Sequence, residues 1–99
     1  MKQLLSILAA FSMLGASAVY SADKVTIQLK WVTQAQFAGY YVAKDKGFYA
    51  DEDLDVTVKP GGPDIAPAQV LAGGGADVMV DWMPSALAAR EKGLPLVNI

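Results

Sequence analysis

The chain reads as an α/β protein with a mostly parallel sheet and flanking helices. Two observations predict this. Short apolar stretches with strand-like alternation are separated by stretches that carry helix start and stop signals. Glycine, proline and aspartate punctuate nearly every boundary, as βαβ units require. A third observation concerns function: the two edges of such a sheet differ in chemistry, one holding mostly turn residues and solvated charges and the other Trp, Gln and Asp side chains.

Met1 to Ala18 comes first and stands apart from the fold. Lys2 is the only charge before Asp23, and Leu4 to Leu14 form an apolar run broken only by Ser6 and Ser12. Ala16-Ser17-Ala18 then supplies a small-x-small cleavage site, so residues 1–18 are expected to be a secretory signal peptide. Cleavage after Ala22 is the alternative. The run is short of the roughly 20 apolar residues that a membrane span needs, so no membrane insertion is expected after cleavage.

Val25-Thr26-Ile27-Gln28-Leu29 alternates as a first strand. Thr33-Gln34-Ala35-Gln36 has the form of a capping box, with Val32 and Phe37 placed as a hydrophobic staple, and predicts a helix running to about Lys46 with Gly47 as its stop. A polar turn, Ala50 to Asp53, leads to a second strand, Leu54 to Val58. Pro60 to Pro63 is a loop, followed by a short helix from about Ala66 to Ala72 with Pro67 in its first turn and Gly73-Gly74-Gly75 after it. Asp77 to Asp81 reads as a third, largely buried strand. Pro84 opens a third helix that Gly93 and Pro95 close, and Leu96 to Ile99 begins a fourth strand. With no helix to cover that last strand, the sequence is expected to be the opening part of a longer protein.

Composition excludes several classes. The chain has no cysteine, hence neither disulfides nor lipid attachment through an N-terminal cysteine. Seven basic residues against ten acidic ones after the leader, without a basic cluster, argue against nucleic acid. Without His or Cys, no Ser-His-Asp or Cys-His arrangement can form within these residues. Asp51, Asp53 and Asp55 open like a calcium loop, but Val56 and Gly62 occupy positions that need Gly and Glu. No catalytic residue, metal or cofactor is therefore expected, and the reading is of a protein that is not an enzyme.

In a parallel sheet the strand-to-helix loops share one edge, where open α/β sheets bind ligands. Trp31, Gln34, Gln36, Gly61, Gly62, Asp64, Asp81, Trp82, Met83 and Ser85 fall there. Trp31 and Trp82 suit stacking on a flat ligand, or equally filling core under a helix. Gln36 is assigned to the capping box, which leaves Gln34 for a ligand. Tyr41 packs on Phe37 four residues earlier, which leaves Tyr40 for the pocket. Gly61-Gly62 allows close backbone approach, or simply a tight loop. Asp81 suits two roles, accepting from a ligand N–H or capping the helix near Pro84. Arg90, the only arginine, lies away from this edge, so an anion would have to rely on helix N-termini.

Leu29-Lys30-Trp31-Val32-Thr33-Gln34-Ala35-Gln36-Phe37-Ala38-Gly39-Tyr40-Tyr41-Val42-Ala43-Lys44, followed by Lys46-Gly47-Phe48-Tyr49, resembles the periplasmic solute-binding proteins of ABC importers for thiamine pyrimidine precursors, riboflavin, nitrate, sulfonates and taurine. Leu54-Asp55-Val56, Gly73 to Val80 and Ala86 to Leu96 extend the resemblance over residues 19–99. It implies the N-terminal part of the first lobe of a two-lobed, type II periplasmic-binding-protein-like fold. It also implies a small-molecule ligand, ABC permease and ATPase subunits as partners, and a periplasmic location. Trp31, Gln34, Tyr40, Gly62, Asp64, Asp81 and Trp82 would line the first-lobe side of the cleft. Aromatics with Asp and Gln suit a planar heterocycle, a thiamine pyrimidine precursor or riboflavin, better than nitrate, a sulfonate or taurine. The same fold resembles the eukaryotic synthase of the thiamine pyrimidine, which supplies a histidine to its own reaction; the absence of His weighs against it.

Overall fold

A computed structural model describes residues 21–99; the export signal expected at residues 1–18 lies outside the described residues. β1 (Asp23–Gln28) is followed by a 3-10 turn (Ala35–Phe37), α1 (Ala38–Asp45), α2 (Phe48–Asp51), β2 (Leu54–Lys59), α3 (Pro67–Ala72), β3 (Val78–Met79) and α4 (Met83–Glu91). The three strands form a parallel sheet in the order β2-β1-β3. The expected α/β class, with a small parallel sheet and flanking helices, is what the chain adopts.

β1 is the central strand, paired with β2 on one side and β3 on the other. Ile27 and Leu29 are buried and join Phe37 and Val56 in the core, with Val25, Val58, Val78 and Val80 packed around them. Its register places Val25 beside Val56 and Ile27 beside both Val58 and Val78. These residues share one face, as the period of two demands, and α1 supplies Tyr40 and Tyr41 to the same cluster. β2 is an edge strand, and Lys44 of α1 donates its ammonium to the Val56 carbonyl, covering part of that edge.

Local signals held where glycine was needed. Gly47 has φ 77° after α1, and Gly93 has φ 100° after α4, the left-handed conformation that ends helices at little cost. Pro67 stands in the first turn of α3.

Five expectations are corrected. The capping box does not form, because the chain enters α1 through a 3-10 turn with Gln34, not Thr33, at its start. The Gln36 amide donates to Gln34 Oε1 at 2.8 Å, and the Thr33 hydroxyl lies 3.3 Å from that of Tyr41. Val32 is left exposed while Phe37 is buried, so the staple is open. The polar turn Ala50–Asp53 is partly helical, and Asp53, at φ 58°, makes the sharp entry into β2. The third strand is two residues long and half-buried rather than Asp77–Asp81, because only Val78 and Met79 stand in register with β1. Its bonding to β1 still extends from the Asp77 amide, on Thr26 O, to the Val80 amide, on Gln28 O. Residues 96–99 form no strand: no ladder bonds tie them to β3, and Val97 and Ile99 are exposed.

Candidate ligand-binding site

The strand order creates the site. The chain leaves β1 for β2 on one side and then returns past β1 to β3 on the other. Loops that follow β1 and β3 therefore diverge, and the crevice between them lies at the switch point on the carboxyl edge.

Three contacts fix the β1 side of this crevice. The Gln28 side chain is buried, and its amide nitrogen reaches Leu29 O at 2.9 Å and Pro60 O at 3.1 Å. One side chain thus joins the end of β1 to the loop after β2. The Gly61 amide donates to Trp31 O at 3.0 Å. Gly61 lies so close to this segment that a Cβ would sit 2.5 Å from Leu29 O and 2.5 Å from the Lys30 carbonyl carbon. Only glycine fits, so the backbone at Lys30 and Trp31 is braced from below.

Lys30 then spans the crevice. Its ammonium stands 2.9 Å from Asp81 Oδ1, and the Asp81 side chain is 3% exposed. Oδ1 also accepts from the Trp82 amide at 2.8 Å. The same ammonium lies 5.0 Å from the centroid of the Trp82 ring, a cation–π contact worth about 0.5–1 kcal/mol at an exposed site. Trp82 is 60% exposed. A large indole held open to solvent beside a mostly dry ion pair is an unusual expenditure of apolar surface, and it offers a ring face to a flat partner. Asp81 Oδ2 accepts no hydrogen bond from a described residue, which leaves an acceptor next to that ring.

An open cleft of about 730 Å³ extends from this cluster along the free edge of β3, lined in part by Tyr40, Val80, Asp81, Met83 and Leu87. Of the seven residues expected at the site, Asp81 and Trp82 are brought together, and Tyr40 shares the cleft with Asp81 while also packing on the core, Trp82 standing outside its lining. Trp31 is half-buried against the core. Gln34 is exposed and bonded to Gln36; Gly62 is buried and its carbonyl accepts from the Ile65 amide; Asp64 is exposed. None of these last three is bonded to the Lys30–Asp81 cluster. Of the two roles open to Asp81, helix capping is not taken: α4 starts after Trp82 without a side-chain cap. The residue missed by sequence reasoning is Lys30. Attention to arginine passed over a lysine at the carboxyl end of the first strand, whose partner Asp81 lies far along the chain. Among the described residues, no cluster of His, Cys, Asp and Glu could hold a metal ion, and no helix is long and apolar enough to cross a membrane.

Comparison with known proteins follows the same lines. The chain is 33% identical over 78 residues to a formylaminopyrimidine-binding protein of Halalkalibacterium halodurans, which covers 78% of this chain and 23% of that one. It is 30% identical over 81 residues to a putative thiamine biosynthesis protein of Haemophilus influenzae, covering 81% and 26%. It is also 30% identical over 80 residues to the 4-amino-5-hydroxymethyl-2-methylpyrimidine phosphate synthase of Candida albicans, covering 80% and 23%. Relatives from Uromyces fabae, Legionella pneumophila and Aspergillus parasiticus carry the same synthase name. The expectation of a protein that is not an enzyme is therefore corrected: this kinship includes enzymes, and lack of a histidine within these residues did not reveal it. The chain spans about a quarter of the length of these relatives. No solved structure matches it. The model of the family described as NMT1/THI5 like matches residues 34–99, the 3-10 turn through the chain's last residue, including Asp81 and Trp82. On that match, the chain belongs to the NMT1/THI5-like family.

Proposed function

We propose that this protein binds a thiamine pyrimidine precursor at the β1/β3 crevice and serves as the substrate-binding component of an ABC importer. In this reading residues 1–18 direct export to the periplasm, and residues 19–99 form the N-terminal part of the first of two lobes. The observation that carries it is the exposed Trp82 ring beside Asp81 at the switch point. A pyrimidine stacks on the indole face, and Asp81 Oδ2 accepts from its exocyclic amino group. The relative named for formylaminopyrimidine binding supports this ligand class. Permease and ATPase subunits would take the ligand from the closed protein.

Isothermal titration of the protein as its gene encodes it is the test. The ligands are 4-amino-5-hydroxymethyl-2-methylpyrimidine, its formylamino analogue, riboflavin, taurine and nitrate. Micromolar or tighter binding of a pyrimidine is expected. Binding of taurine or nitrate alone would overturn the ligand class. A second reading, synthesis of the pyrimidine phosphate, is favoured by the synthase names among the relatives. Formation of that phosphate by the purified protein would replace the carrier reading.

A further inference from the structure

We infer that the Lys30–Asp81 pair is the charge filter of this crevice, admitting uncharged heterocycles and rejecting their phosphate esters. The inference rests on the pyrimidine-binding reading and adds a selectivity to it. A lysine at a ligand edge would ordinarily invite an anion. Here its charge is already matched by Asp81 at 2.9 Å, with side-chain exposures of 17% for Lys30 and 3% for Asp81. Asp81 is further held in place by the Trp82 amide.

A phosphate that engages the Lys30–Asp81 pair has two ways to be accommodated, and both are unfavourable; Arg90, which lines the same cleft as Asp81, is a separate cation further along α4. It can take Lys30 from Asp81, which strands a nearly buried carboxylate without its counter-ion. Or it can leave the pair intact, which sets its own negative charge against that carboxylate in a partly dehydrated site. An uncharged ring meets neither obstacle. It needs only the free face of Trp82, since the Lys30 ammonium covers the other at 5.0 Å, and it can donate to Asp81 Oδ2 without disturbing Oδ1. Lys30 and Asp81 are thus specificity-determining residues, and the pair counts for its neutrality as much as for its stability.

The experiment compares 4-amino-5-hydroxymethyl-2-methylpyrimidine with its monophosphate by titration calorimetry, using the protein as its gene encodes it. Wild type is expected to bind the uncharged compound at least about tenfold more tightly than the ester, and Asp81→Asn, which frees Lys30, to narrow that ratio by about tenfold. Adding Lys30→Met to Asp81→Asn removes the freed cation and should cancel the gain for the ester. Thermal unfolding of each variant checks that it folds. Equal or tighter binding of the ester by wild type would overturn the inference without any variant. So would a ratio that Asp81→Asn leaves unchanged while pyrimidine binding persists. Failure to bind either compound would overturn the pyrimidine reading and the filter with it.

Discussion

A methyl group added at Gly61 has nowhere to go. Its three nearest neighbours, at 2.5 to 2.7 Å, are backbone atoms of Leu29 and Lys30, which cannot swing aside as a flexible side chain can. Gly62, one residue on, has nothing within 4 Å of the same position. Gly61→Ala should therefore destabilise the protein by about 1–3 kcal/mol, the usual cost of overpacking, while Gly62→Ala changes stability little. Thermal unfolding of the two variants compares them directly, and equal effects would remove the brace from the account of the site. Sequence reading recognised Pro60–Pro63 as a loop and Gly61-Gly62 as permissive. It could not tell which glycine was essential, because the constraint comes from a segment thirty residues away. Lys30 was hidden for the same reason: its partner is Asp81, and separation along the chain conceals an ion pair that only the strand order brings together.

Elements were legible where their signals are local. The stops at Gly47 and Gly93 and the proline at the start of α3 depend on a single residue's backbone preference, and they were read correctly. The entry to α1 was misread because the bonds at a helix start are weak enough for tertiary packing to override. Burying Phe37 in the core accompanies a 3-10 entry that leaves Thr33 outside the first turn. β3 was overestimated because its apolar run continues past Val78 and Met79, the two residues that stand in register with β1. The packing of α2 on α1 yields a pH prediction. Partial burial, with a smaller contribution from nearby Tyr40, raises the Tyr49 phenol above its ordinary value of 10.0. The unfolded chain then loses this proton first as pH rises, so the folded state binds more protons in that range and stability must fall with pH. The contribution is complete below pH 10 and is lost as pH rises from there through the folded-state value. Unfolding in urea between pH 9 and 11.5 should show a decline that Tyr49→Phe reduces; an identical slope in the variant would assign the decline to other groups.

Stability is distributed unevenly over the whole molecule. β1 is bonded on both sides and supplies Ile27 and Leu29 to the core, and β2 adds Val56. α4, by contrast, contains no buried residue, and Met83 and Leu87 on it are exposed. Local opening costs little where few apolar contacts must break. Amide hydrogen exchange should accordingly be slowest at Ile27 and Leu29, whose amides face β2 in the ladder, and far faster through α4 and residues 94–99. The crevice lies on the boundary between these two regimes, since Lys30 extends from the braced end of β1 while Trp82 immediately precedes α4. A ligand stacked on Trp82 would bind only molecules in which that indole is in place, and so must stabilise the first turn of α4 by mass action. Exchange at Ala86 and Leu87 should slow on adding a saturating pyrimidine, while exchange at Ile27 changes less. If α4 were already as protected as β1 without ligand, or if ligand slowed both equally, the division between a fixed strand and a ligand-ordered helix would have to be abandoned.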